Sequence, residues 1–217
     1  MEKESLGGTW GLALIMIVLA SWIFYRYLSP KSWREWKSAG LVHAFIIALY
    51  VEMYGFPLTI YLLSAVFKID IPWVHANGHL WSFFIKEGTA AAMIEMFLGF
   101  AVIFSGIYLI AVAWQRVYAA SREKRLVTDG PYSIIRHPQY TGIFLVVVGQ
   151  LIHWPTLITL ILSPMIFFVY YRLARKEERD MLAIFGEGYH RYMEHVPMFV
   201  PRLDDLKSIW LQREEAA

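Results

Sequence analysis

Two short polar segments hold most of the residues that could do chemistry. Residues 126–140 read Leu-Val-Thr-Asp-Gly-Pro-Tyr-Ser-Ile-Ile-Arg-His-Pro-Gln-Tyr, and residues 175–180 read Arg-Lys-Glu-Glu-Arg-Asp. Between them lie two apolar runs, 140–153 and 156–171, separated by Trp154 and Pro155. A tight turn there folds the runs into a helical hairpin, with Pro155 expected in the first turn of the second helix. The hairpin brings its two ends together, so segments distant in sequence make one site.

The residue types suit a charged ligand that tolerates aromatic neighbours. Glu177 and Glu178 can attract an ammonium or accept hydrogen bonds from sugar hydroxyls. Tyr132 and Tyr140 can set ring faces against a sulfonium, a contact worth about 0.5–2 kcal/mol. Arg136 and His137 can take a carboxylate. Gly130-Pro131 forms a turn that lets the backbone approach a ligand closely. Singly, these residues have ordinary readings. An isolated arginine there anchors to lipid headgroups, and a Glu pair beside Lys176 and Arg179 is a solvated helix face. The two segments in order around a hairpin are what turn them into a site.

The elements that must position these segments are membrane helices. The chain has 217 residues, 58% of them hydrophobic, and the apolar residues gather in long runs, as in a membrane protein. The runs 10–28, 41–67 and 90–114 predict three spans, the second kinked at Pro57. With the two hairpin arms the expected count is five. The sequence is thus read as all-α integral membrane: five transmembrane helices, the last two a hairpin, followed by a C-terminal cytoplasmic helix. Residues 1–114 hold helices 1–3 and residues 115–217 the catalytic core. The apolar run near the N-terminus is too long for a signal-peptide core, so it is read as the first span.

Lysine and arginine in the short loops set the expected orientation. Lys31, Arg34 and Lys37 crowd the first loop, and Arg116, Arg122, Lys124, Arg125 and Arg136 the third. Arg172, Arg175, Lys176 and Arg179 follow the last span, whereas the second loop has only Lys68 and Lys86. First loop, third loop and tail therefore face the cytoplasm, and both polar segments lie on that side. There are no cysteines, which excludes thiolate nucleophiles and cysteine-based zinc sites. His75 and His79 are spaced for a metal only on a helix, and Asn77-Gly78 between them reads as a turn, so no metal is expected. Glu52 and Glu95 sit inside spans, which is costly unless they face protein or water; Glu52 is read as a hydrogen-bonding group between helices, with the lining of an acceptor cavity beside His43 or Tyr54 as the alternative. Gly99 and Gly106 are read as close-packing positions.

The motifs resemble the isoprenylcysteine carboxyl methyltransferase and phospholipid methyltransferase superfamily. The resemblance runs from Leu126-Val127-Thr128 through Gly130-Pro131-Tyr132 and Arg136-His137-Pro138 to Tyr140-Thr141-Gly142. It resumes at Glu177-Glu178, Phe185-Gly186, Tyr189, Tyr192 and Val196-Pro197. It implies a methyltransferase using S-adenosylmethionine, with cofactor contacts from Lys124, Arg125, Leu126, Val127, Tyr132, His137, Pro138, Gln139, Tyr140 and Glu177. It also implies an acceptor-orienting arginine about one turn before the glutamates. That position holds Leu173 here, so Arg172, Arg175 and Glu178 are the expected substrate-binding residues. The expected partners are the lipid bilayer and a lipophilic or small-molecule acceptor, with no nucleic acid. Methylation of an isoprenylcysteine-like carboxylate is favoured over a phospholipid amine or a small thiol. A membrane reductase using NADPH, of the sterol-reductase type, is the competing reading. Gln139 and Gly142-Ile143 argue against it, because such reductases commonly have Asn before the tyrosine and Gly-Glu after it.

Overall fold

Helices make up the regular structure of a computed structural model, which describes residues 10–27, 33–54, 58–62, 66–68, 81, 90–123 and 125–202. The elements are α1 (Trp10–Tyr27), α2 (Trp33–Tyr54), α3 (Leu58–Tyr61), α4 (Ala90–Glu123), α5 (Pro138–His153), α6 (Leu157–Phe185) and α7 (Glu187–His195), with a 3-10 turn at Gly130–Ser133. Lys124, Pro57, Trp73, His75 and His79 lie outside the described residues. Two helices are long and apolar enough to cross a membrane, α4 over Ala90–Ala120 and α6. Shorter apolar helices cover Trp10–Arg26 and Gly40–Glu52. With apolar side chains such as Leu14, Val18, Trp22, Phe97 and Phe104 exposed along them, this is an integral membrane protein, since helices satisfy their own backbone in hydrocarbon.

The chain divides into two compact units, one of residues 1–103 and 147–170, the other of 104–146 and 171–217. In the first unit, α1 and α2 are joined by polar contacts. Ser21 Oγ lies 3.1 Å from His43 Nε2, and His43 Nδ1 lies 2.9 Å from the Tyr25 hydroxyl. α2 is described to Tyr54 and α3 from Leu58, and Pro57, where a kink was expected, lies outside the described residues. Glu52 on α2 is tied to Thr59 on α3. Both of its carboxylate oxygens accept from Thr59 N at 3.1 Å, and Oε1 also accepts from Thr59 Oγ1 at 2.9 Å. Thr59 Oγ1 in turn accepts from Leu157 N at 3.1 Å. The structural reading of Glu52 therefore holds: a fully buried carboxylate is matched by donors, as hydrocarbon surroundings require.

The hairpin turn is capped rather than proline-started. Thr156 and Thr159 exchange side-chain-to-backbone hydrogen bonds, Thr159 N to Thr156 Oγ1 at 3.2 Å and Thr156 N to Thr159 Oγ1 at 2.9 Å. This is a reciprocal capping arrangement that makes Thr156 the cap, so Pro155 precedes the helix instead of lying in its first turn. Pro164, inside α6, cannot donate to Leu160 O. Ser163 Oγ donates there instead at 3.2 Å, and the helix continues. Close packing of α4 on α5 rests on glycines. A Cβ on Gly99 would sit 2.6 Å from His153 Cβ, and one on Gly149 would sit 2.8 Å from Gly99 O.

In the second unit a Cβ on Gly106 would meet Gly142 O at 2.6 Å, and one on Gly142 would meet Gly106 O at 2.7 Å. This close crossing fixes the start of α5, where the first polar segment ends. The last helices are longer than hydropathy indicates. α6 runs on without interruption through Arg175, Glu177 and Glu178 to Phe185, so the second polar segment is helical and rigid. Gly186, at φ +52° and ψ −126°, ends it in a positive-φ conformation that favours glycine. α7 then follows as a separate short helix.

Candidate active site

The second unit brings the two polar segments together. Arg116 on α4 donates to Asp129 at 2.8 Å, and Arg125 lies 3.5 Å from the other oxygen of that carboxylate. Desolvation alone would push the Asp129 carboxyl up, but the backbone N–H and the Arg116 and Arg125 charges together outweigh it and hold the group below its ordinary range. Gly130 follows at φ +60° and turns the chain into the 3-10 segment that buries Tyr132. Tyr192 on α7 donates to the Tyr132 carbonyl at 2.6 Å, which ties the motif loop to the C-terminal helix. Burial pushes the hydroxyls of Tyr132, Tyr192 and Tyr189 up, Tyr189 to about 12, so all three stay protonated.

Arg136 is a structural lock. Its Nε and Nη2 each lie 2.7 Å from Glu178 Oε1, while Nη1 donates to the carbonyls of Met193 and Val196. Every part of the guanidinium is occupied, which corrects the expectation that Arg136 could take a ligand carboxylate. Glu178, grouped with the substrate-binding residues on sequence grounds, is 2% exposed, and its second oxygen lies 3.5 Å from Arg175 Nη1.

Glu177 differs. Its side chain is 39% exposed. The Tyr140 hydroxyl donates to Oε1, and Oε2 lies 3.6 Å from His137 Nδ1. The His137 and Tyr140 rings stack at 5.7 Å and 8°. His137 Nε2 lies 3.4 Å from Glu178 Oε1, yet it is buried without an aligned hydrogen bond. Burial alone would push His137 down. The two carboxylates outweigh it and raise its pKa above the ordinary histidine value.

The structure thus gathers Tyr140, His137, Glu177 and Glu178 around Arg136, with Pro138 buried at the first position of α5. Leu126 and Val127 are half-buried in the extended stretch before the turn, and Gln139 is half-buried on α5. Arg172 and Arg175 are exposed on α6, and Leu173, where the resemblance implied an arginine, is buried between them. Nothing in the residue pattern marks Phe199. Its carbonyl accepts from Thr141 Oγ1 at 2.9 Å, and its ring lies 5.8 Å from His137.

The family model that matches this chain is the isoprenylcysteine carboxyl methyltransferase family, over residues 90–183. A methanethiol S-methyltransferase of Pseudomonas deceptionensis is 26% identical over 91% of this chain and 76% of its own length. A protein-S-isoprenylcysteine O-methyltransferase of Schizosaccharomyces pombe is 32% identical over 41% of this chain. There the match spans 39% of the relative's length. A cobalt-zinc-cadmium resistance protein of Cupriavidus metallidurans is 31% identical over 54% of this chain and 54% of its own. Residues 90–183, the part of the chain that resembles this family, hold both polar motifs and the hairpin between them.

Proposed function

We propose that the protein transfers a methyl group from S-adenosylmethionine to a small or lipophilic acceptor, with a thiol sulfur favoured. The observation that carries this is the His137–Tyr140–Glu177 cluster: a half-exposed carboxylate beside two stacked rings. A carboxylate and aromatic faces suit a ligand bearing ammonium and sulfonium groups. The buried, unaligned Nε2 of His137 leaves bonding capacity for a polar ligand atom. Lys124, Arg125, Leu126, Val127, Tyr132, Pro138 and Gln139 would complete the cofactor site on the strength of the family resemblance.

When bound, S-adenosylmethionine supplies an electrophilic methyl group. The chain has three tasks: to hold the acceptor in line, to exclude water and to balance charge. Arg136 pairs with Glu178, and His137 lies beside both carboxylates. Glu177, the half-exposed carboxylate of the two, would take the thiol proton as the sulfur attacks the methyl group.

Two considerations favour sulfur over carboxylate as the acceptor atom. Arg136 is committed to Glu178 and two carbonyls, so a carboxylate would meet two glutamates without that partner. The match to a methanethiol S-methyltransferase also runs through 91% of the chain. The second reading, O-methylation of an isoprenylcysteine-like carboxylate, rests on the shorter match to the Schizosaccharomyces pombe protein. It would need Arg172 or Arg175 to bind the carboxylate.

Five spans, with the polar motifs and C-terminus on the cytoplasmic side, complete the reading, supported by the lysine and arginine bias of the loops. The absence of native cysteines makes single-cysteine labelling from either side a direct topology test. Calorimetry with S-adenosylmethionine, its demethylated product and NADPH tests the cofactor, and radiolabel transfer to thiols and to a farnesylcysteine analogue tests the acceptor. Binding of NADPH alone would overturn the proposal.

A further inference from the structure

Most polar groups around the hairpin turn have partners. Thr156 and Thr159 cap α6, and Thr59 Oγ1 accepts from Leu157 N. Near the end of α5, Gln150 O accepts from Trp154 N at 2.6 Å and Ile152 O from Trp81 Nε1 at 2.7 Å. Three side chains beside them are not matched in this way. Gln150 Oε1 and His153 Nδ1 are buried without a hydrogen bond. Among the described residues Glu95 pairs with no Lys or Arg, and its Oε1 lies 4.0 Å from His153 Nδ1, too far for a hydrogen bond.

Packing gathers these groups. Gln150 and His153 are three apart on α5 and share a face. Gly99 stands four residues after Glu95 on α4, and a Cβ there would lie 2.6 Å from His153 Cβ. The bare glycine thus lets the imidazole settle over the turn that carries Glu95, where the Phe100 ring stacks on it at 4.5 Å. The Glu95 and His153 side chains are each 12% exposed, so only a small species fits between them. The three unmatched atoms are a carboxylate oxygen, an amide oxygen and an imidazole nitrogen, and all can offer a lone pair. A carboxylate held away from water needs a compensating charge. A water molecule would fill the hydrogen bonds and leave that charge standing, whereas a cation meets both needs.

We propose that Glu95, Gln150 and His153 hold a divalent transition-metal ion of the zinc class, which clamps α4 to the end of the hairpin. The imidazole selects such an ion over magnesium or calcium, which prefer oxygen ligands. A tetrahedral ion with bonds of about 2.0–2.1 Å holds two ligands about 3.4 Å apart. The 4.0 Å seen here therefore needs a closure of roughly 0.6 Å. Among the described residues no third His, Asp or Glu joins the cluster, so the amide oxygen and water complete the coordination. The inference does not depend on the methyltransferase reading, because none of its ligands belongs to the His137–Tyr140–Glu177 cluster.

The test is titration of the untagged full-length protein, stripped of metal by a chelator and held in nanodiscs, with zinc chloride. The wild type takes up one equivalent. X-ray absorption at the zinc edge then shows one imidazole nitrogen among oxygens at about 2.0–2.2 Å. Glu95→Gln and His153→Ala each weaken zinc binding by at least about tenfold, the lower end of what loss of an outer-shell partner costs. Glu95→Gln keeps the volume of the side chain and serves if the histidine variant does not fold. A His190→Ala, His195→Ala double variant removes two exposed histidines of α7 and binds zinc as the wild type does. No stoichiometric uptake by the wild type overturns the proposal and leaves a buried water as the occupant. Unchanged zinc affinity in Glu95→Gln also overturns it, as does a loss confined to the His190, His195 variant, which would show adventitious surface binding only.

Discussion

Among the described residues, each compact unit pairs a buried carboxylate filled with donors, Glu52 or Glu178, with one that is not, Glu95 or Glu177. Glu52 takes three hydrogen bonds from Thr59, while Glu95 has His153 Nδ1 at 4.0 Å and both side chains are 12% exposed. In the other unit, Glu178 takes the Arg136 fork at 2% exposure, while its neighbour Glu177 is half-open and accepts from Tyr140. A carboxylate whose lone pairs are filled from within the protein stabilises a shape. One with acceptor capacity left over can meet a ligand. Adjacent residues of the same type, Glu177 and Glu178, therefore carry different roles because they leave α6 on different sides.

The largest effect that would break this comparison is at Glu178. Glu178→Ala strands the buried Arg136 guanidinium, and breaking a buried pair by removing one partner costs about 3–5 kcal/mol. Thermal unfolding in detergent should show a large drop in Tm, with cofactor affinity lost only as a consequence of unfolding. At Glu177 the pattern reverses. Glu177→Gln should weaken S-adenosylmethionine binding by one to two orders of magnitude, since a charge-assisted bond contributes about 1.5–3 kcal/mol. Tm should barely move, because the position is half-exposed. Equal Tm losses in the two variants would erase the distinction between them.

The difference between the two glutamates was not legible in the sequence, and the reason is general. The motifs were legible because their residue types are unusual beside a membrane and occur in order around Trp154 and Pro155. The partners that sort them are main-chain carbonyls of Met193 and Val196, which leave no mark in the residue sequence. Helix ends were missed for a related reason. Hydropathy falls at Arg172, but residues 172–184 are mostly strong helix formers. The helix stops only at Gly186, where a positive φ is required. The Thr156–Thr159 cap was readable in principle from two threonines three apart, though the neighbouring proline is the louder signal.

A smaller effect concerns pH. His137 is raised above its ordinary value by Glu177 and Glu178 against the opposing pull of burial. Its protonated form therefore contributes stability that is fully present below the ordinary histidine value. That contribution fades as pH rises through the higher folded value. Unfolding followed across this range should show stability falling with pH in the wild type, and a flatter profile in His137→Asn. A wild-type profile that rises over the same window would show that the carboxylates do not hold the proton on His137.

The smallest expected effect is at Glu95, and it tests the other half of the comparison. His153 Nδ1 is buried without a hydrogen-bond partner, as is Gln150 Oε1 on the same helix. The 4.0 Å separation from Glu95 is too long for a hydrogen bond. An ionised carboxylate there gains little to offset its removal from water, so neutral glutamine of similar volume should be tolerated. Glu95→Gln should leave Tm unchanged or slightly raised, where Glu178→Ala collapses it. A loss at Glu95 comparable to that at Glu178 would mean that Glu95 and His153 close into a tight pair in the membrane. The saturated-versus-open distinction would then hold for the motif helices alone.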